Sequence, residues 1–108
     1  MGAILLFTTT PTLDDAKKIS KELIEKKLAA CVSIISGLES LFYWEGKLTE
    51  EKEYLLMVKT REELSDYLID CVKKLHPYRV PEIIASKILF GNPEYLEWLE
   101  ETTKLGKG

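Results

Sequence analysis

The chain has 108 residues, 45% of them hydrophobic and 31% charged, with a formal net charge of −3. These values suit one soluble globular domain over residues 1–108, with no disorder-prone run. They supply no electrostatic pull toward nucleic acid or an anionic membrane. The apolar run Ala3 to Phe7 is too short for a signal peptide or a membrane span. Two cysteines without a C-x-x-C pairing argue against a disulfide framework or a zinc knuckle, so the expected location is cytoplasmic.

Ala3 to Thr10 is apolar and then β-branched, which predicts a buried strand. Thr12 followed by Asp15 resembles a capping box and opens a helix that ends near Lys27. Leu13, Ala16, Ile19, Leu23 and Ile24 form its apolar stripe. Ala30 to Ile35 is a strand that continues as Leu38 to Trp44, with Ser36-Gly37 as a bulge or bend between the parts. Leu38, Ser40, Phe42 and Trp44 share one face of it, and Glu39, Leu41 and Tyr43 the other.

Glu45-Gly46-Lys47 turns the chain, and a strand returns through Glu53 to Lys59. Thr60 with Glu63 predicts another capped helix, striped by Leu64, Leu68, Cys71, Val72 and Leu75. A proline-rich corner follows, then a strand from Ile83 to Phe90. Asn92-Pro93 opens a last short helix carrying Tyr95, Leu96, Trp98 and Leu99, and Lys104 to Gly108 should fray. The order β-α-β-β-α-β with a C-terminal helix predicts an α+β, ferredoxin-like antiparallel sheet with both long helices on one face.

Length adds a constraint that topology lacks. Residues 30–44 would span roughly 50 Å if extended, whereas a domain of this size is about 35 Å across. The hairpin must therefore bend at Gly37 or project. Its aromatic end, Leu41-Phe42-Tyr43-Trp44, would expose an apolar patch and an open edge in a monomer. A closed homo-oligomer covering that end is the expected solution.

The corner, Leu75 to Ile84, holds the one histidine, a tyrosine, an arginine, a glutamate and two of the four prolines. Proline holds its predecessor extended, so His76 and Val80 cannot relax into helix. A rigid segment presenting His76, Tyr78 and Glu82 suits a ligand site and suits a structural corner equally. A neutral imidazole at His76 is a ligand for copper or zinc. The alternative is a histidine that hydrogen-bonds the end of the preceding helix, where an imidazolium would also complement the dipole. Glu82 is a candidate oxygen ligand, or else a surface partner for Arg79 or Lys59. Cys31 is either a buried, inert thiol or a group facing a cleft between subunits. Trp44, Lys59, Tyr78 and Glu82 are candidates for a ligand-binding cleft, while Leu41, Phe42, Tyr43 and Trp44 are candidates for the subunit interface.

No phosphate-binding glycine loop, dinucleotide fingerprint or nucleophile elbow occurs. An RNA-recognition sheet needs aromatics on its central strands and a basic face, and Tyr54 to Lys59 offers one tyrosine. Copper chaperones of this topology carry C-x-x-C in their first loop, where this chain has Thr9-Thr10-Pro11-Thr12.

The chain closely resembles the CutA-type divalent-cation tolerance proteins. The resemblance rests on Leu28-Ala29-Ala30-Cys31-Val32, Tyr43-Trp44-Glu45-Gly46-Lys47, Lys59-Thr60, His76-Pro77-Tyr78, Val80-Pro81-Glu82-Ile83-Ile84 and Tyr95-Leu96-Glu97-Trp98-Leu99. It implies a homotrimer built like the PII signalling proteins, non-catalytic, with a role in tolerance of copper or other divalent metal ions and no obligatory cofactor. Some bacterial members carry a cysteine at the position of Thr8 and a second histidine at the position of Leu75. Only His76 of that copper set is present here. Weak metal binding through His76, with Glu82 or Cys31, is the expectation. The alternative is a PII-like sensor that takes a small organic or anionic ligand in the cleft between subunits.

Overall fold

A computed structural model describes residues 2–103, so the expected fraying of Lys104 to Gly108 lies outside the described residues. The elements are β1 (Ala3–Thr10), α1 (Leu13–Glu25), β2 (Cys31–Trp44), β3 (Lys47–Arg61), α2 (Ser65–Leu75), β4 (Ile83–Lys87) and α3 (Pro93–Thr102), with a single 3₁₀ turn, Glu62–Leu64, ahead of α2. The sheet order is β2-β3-β1-β4, and every neighbouring pair is antiparallel. This is the α+β architecture that the element order predicts.

The apolar periodicities meet in one layer. Ala16, Ile19 and Leu23 of α1 and Leu68, Cys71 and Val72 of α2 pack on Leu6, Leu56 and Val58 of the sheet. Burial pushes the Cys71 thiol up from its ordinary pKa, which keeps it a neutral packing group. Thr12 caps α1 by accepting the Asp15 N–H at 3.0 Å. The helix closes with Lys27 in the left-handed region at φ 60°. The Lys27 and Leu28 N–H groups return to the carbonyls of Ile24 and Leu23 at 3.0 and 2.9 Å, a Schellman motif made without glycine. Asn92 caps α3, accepting the Glu94 N–H at 3.1 Å ahead of Pro93.

Three local expectations are corrected. Thr60 does not cap α2. It lies inside β3, opposite Ile4, and its hydroxyl donates to the Leu28 carbonyl at 2.6 Å, satisfying a buried group left by the α1 exit. β3 begins at Lys47 and not at Glu53, because its first residues pair with β2 alone. β4 ends at Lys87 and not at Phe90: one further bond joins the Ile88 N–H to the Ala3 carbonyl, and the pairing with β1 stops there.

The long hairpin both bulges and projects. A register shift separates Ile35 from Leu38, with Gly37 at φ +82°. The hairpin turns on Glu45 and Gly46, at φ 52° and 78°, the paired positive angles of a two-residue turn that matches strand twist. β1 reaches only as far as Tyr54 along β3, so residues 47–53 and 38–44 form a two-stranded finger beyond the sheet. The molecule is accordingly elongated, 45 × 26 × 21 Å.

Candidate functional site

α2 stops at Leu75 because Pro77 follows His76, which adopts φ −78° and ψ 137°. The His76 ring is 8% exposed. Its Nδ1 accepts the Tyr78 N–H at 3.0 Å, so the proton resides on Nε2, which donates to the Thr9 carbonyl at 2.6 Å. Both nitrogens are thereby engaged, and the ring stacks obliquely on Tyr78 with centroids 4.9 Å apart. His76 braces the end of α2 to the end of β1. In this arrangement it has no lone pair to offer a metal ion.

That brace aims residues 77–82 across the end of β1 toward the finger. Between finger and corner lies an open cleft of about 800 Å³, within the usual range for small-molecule sites. Trp44, Tyr78 and Glu82 line it together with Phe42 and Leu41. Three of the four predicted cleft residues are thus brought together. Lys59 is not among them. It shares a strand face with Glu53 but lies six residues along β3, roughly 20 Å away. Its ammonium donates to Ser33 Oγ at 2.6 Å and approaches Cys31 Sγ at 3.8 Å. Cys31 sits in that second cluster, beside Tyr95, whose phenol pKa is raised by burial and then by proximity to Cys31. Cys31 pairs with Lys59 in the sheet, whereas Glu82 lines the cleft. Among the described residues, no three His, Cys, Asp or Glu side chains are grouped to hold a metal ion. Thr8 is fully buried with an unpaired hydroxyl, and Leu75 is partly buried against the core.

Of the predicted interface residues, Tyr43 stands most open at 76% exposure, and Leu41 is 61% exposed. Phe42 and Trp44 lie on the opposite strand face, as the alternation requires, and line the cleft, where Leu41 also reaches the lining.

Sequence reasoning missed Glu53. It is only 5% exposed, and its Oε2 accepts the Tyr78 hydroxyl at 2.7 Å. Burial first, and the bond to the carboxylate second, hold the Tyr78 phenol far above its ordinary pKa. Glu53 opens the run Glu53-Tyr54-Leu55-Leu56-Met57-Val58, and an acid at an alternating position of a half-buried strand is the signal that would have found it. Glu51 and Arg79 also line the cleft and were not singled out.

Residues 4–102 match the family described as CutA1 divalent ion tolerance protein. The chain belongs to that family. It is 48% identical over 99 residues to the divalent-cation tolerance protein CutA of Thermus thermophilus, covering 92% of this chain and 96% of that one. It is 46% identical over 102 residues to the chloroplastic CutA 1 of Oryza sativa, covering 94% of this chain and 58% of the relative. The chain spans only a little over half the length of its plant and mammalian relatives. Solved CutA1 structures agree in fold: that from Oryza sativa superposes with a TM-score of 0.94 at 45% identity, covering 97% of this chain and 96% of that one. The Thermus thermophilus structure gives 0.92 at 46% identity, covering 94% and 99%. The periplasmic protein from Archaeoglobus fulgidus also gives 0.92, at 42% identity, covering 94% and 99%. A chloroplastic and a periplasmic relative show that this family's fold is not tied to one compartment. Among the described residues, no helix is long and apolar enough to cross a membrane.

Proposed function

We propose that this CutA1-family chain is a cytoplasmic, homotrimeric binding protein of divalent-cation tolerance, without catalysis. The observation that carries the proposal is the cleft between finger and corner. Three carboxylates, Glu51, Glu53 and Glu82, and one guanidinium, Arg79, line this preformed site, the carboxylates spread along it and not grouped around one point. Such a site attracts cations, and carboxylate oxygen accommodates many divalent ions weakly. Copper(II) or another divalent ion binds there through Glu82, while His76 holds the corner in place. Because both His76 nitrogens are committed to main-chain groups, the cleft lacks an imidazole base, which supports binding over turnover.

Equilibrium dialysis of Cu(II) and Zn(II) against wild type, Glu82→Gln and His76→Ala tests this. Binding should fall in Glu82→Gln, and equal binding by wild type and Glu82→Gln would remove the cleft from the metal site. The trimer is supported by the finger, whose Leu41, Tyr43 and Leu48 are exposed, and by the half-open apolar sheet face with Ile35 and Ile84. Light scattering should return three times the 12.4 kDa chain mass. A single-chain mass would refute it.

The cleft volume favours a second role, a sensor for a small organic ligand, because about 800 Å³ far exceeds what a bare ion occupies. A thermal-shift screen separates the two: stabilisation by metabolites and not by metals selects the sensor.

A further inference from the structure

The register of the finger sorts the cleft by chemistry. Glu53 lies opposite Leu38, Glu51 opposite Ser40, Phe42 opposite Thr49 and Trp44 opposite Lys47. From base to tip the cleft floor therefore runs carboxylate, carboxylate, phenyl, indole, in steps of about 7 Å. Across it stand Tyr78, Val80 and Glu82. One end of the cleft is acidic and the other aromatic.

Glu53 carries the argument further. The residue is only 5% exposed, and of its two oxygens Oε2 is used, by Tyr78. Oε1 receives no hydrogen bond from a described residue. That oxygen keeps contact with solvent, and the cleft that Glu53 lines is where a donor reaches it. A metabolite anion would meet three carboxylates against Arg79 alone, so the anionic ligand considered from the sequence does not suit the floor.

We propose that the cleft takes an organic ammonium ion: a protonated amine donates to Glu53 Oε1 beside Glu51, and its apolar or aromatic body rests on Phe42 toward Trp44. The ammonium lies between Glu53 and Glu51, so its body has the one further step from Glu51 to Phe42 to cover. That step is about 7 Å, the reach of a short chain bearing a ring, and aromatic faces favour a cation held near them. This assignment rests on the proposal that the cleft binds ligands and names their chemical class.

The test uses the full chain in its native assembly and three probes of one shape: 2-phenylethylammonium, 2-phenylethanol and 3-phenylpropionate. Calorimetry measures affinity, and the Trp44 indole N–H resonance locates the ligand. The ammonium should bind about tenfold or more tightly than the alcohol, with the carboxylate weakest, and shift the Trp44 resonance. Glu53→Gln keeps the shape and should remove about tenfold of that affinity, as should Glu51→Gln in part. The second variant serves if the first alters folding, judged by near-ultraviolet circular dichroism. Carboxylate or alcohol binding as tightly as the ammonium, or affinity unchanged in both variants, overturns the ammonium assignment while leaving a ligand-binding cleft. If neither these probes nor Zn(II) moves Trp44, both proposals fall.

Discussion

β3 is one strand with two environments. Leu56 and Val58 are fully buried between helices and sheet, whereas Leu48, on the same strand, is 65% exposed at the finger. The inner half is held by close packing against α1 and α2. The outer half relies on cross-strand pairs with β2 and on a two-residue turn, an arrangement that is marginal in isolation. One continuous strand thus draws on different sources of stability, its inner half paired on both edges and its outer half on one. The inner half makes the subunit; the outer half makes one wall of the cleft and presents a surface to neighbours.

The sharpest way to break this contrast is to truncate the same residue type in both halves. Leu56→Ala should cost about 2–5 kcal/mol, measured by urea unfolding. Leu48→Ala should cost less than about 0.5 kcal/mol in a subunit alone, yet shift the assembly toward smaller species in light scattering. Equal losses would mean that the finger is as integral to the subunit as the core.

Smaller effects sharpen the view of the inner half. Thr8→Val removes an unpaired buried hydroxyl and should stabilise the fold by about 1 kcal/mol, seen as a higher urea midpoint at unchanged slope. Lys27→Gly relieves a left-handed residue at the α1 exit, and after the added chain entropy of glycine the gain should be about 0.5 kcal/mol. The Tyr78 phenol gives the effect confined to alkali. Its pKa is raised in the fold above the ordinary value of 10, so the native state keeps a proton that the unfolded chain releases. The contribution is intact below pH 10 and is lost progressively above it. Tyr78→Phe should therefore flatten the decline of stability with pH in that range, as measured by thermal melts.

Much of the fold was legible because its signals are local. Thr12, Asn92-Pro93, Glu45-Gly46 and the bulge at Gly37 each act within a few residues, and each does what its chemistry predicts. Thr60 misled because a hydroxyl three residues ahead of Glu63 looks the same whether it caps a helix or answers a carbonyl 32 positions away. Lys59 and Cys31 were placed with the cleft on family resemblance and strand position; the sheet register instead put them together, beside Ser33.

From its amino acids alone, the chain declares its alternations, caps and turns, its family, and a finger too long for its own domain. Those properties follow from backbone sterics and from periods of two and of 3.6 residues. Only the folded molecule decides that the Tyr78 phenol meets Glu53, 25 positions away, and that His76 turns inward to Thr9, 67 positions away. Such meetings depend on strand register and on the path of a proline-bound corner, which act between elements and leave no periodic mark along the chain.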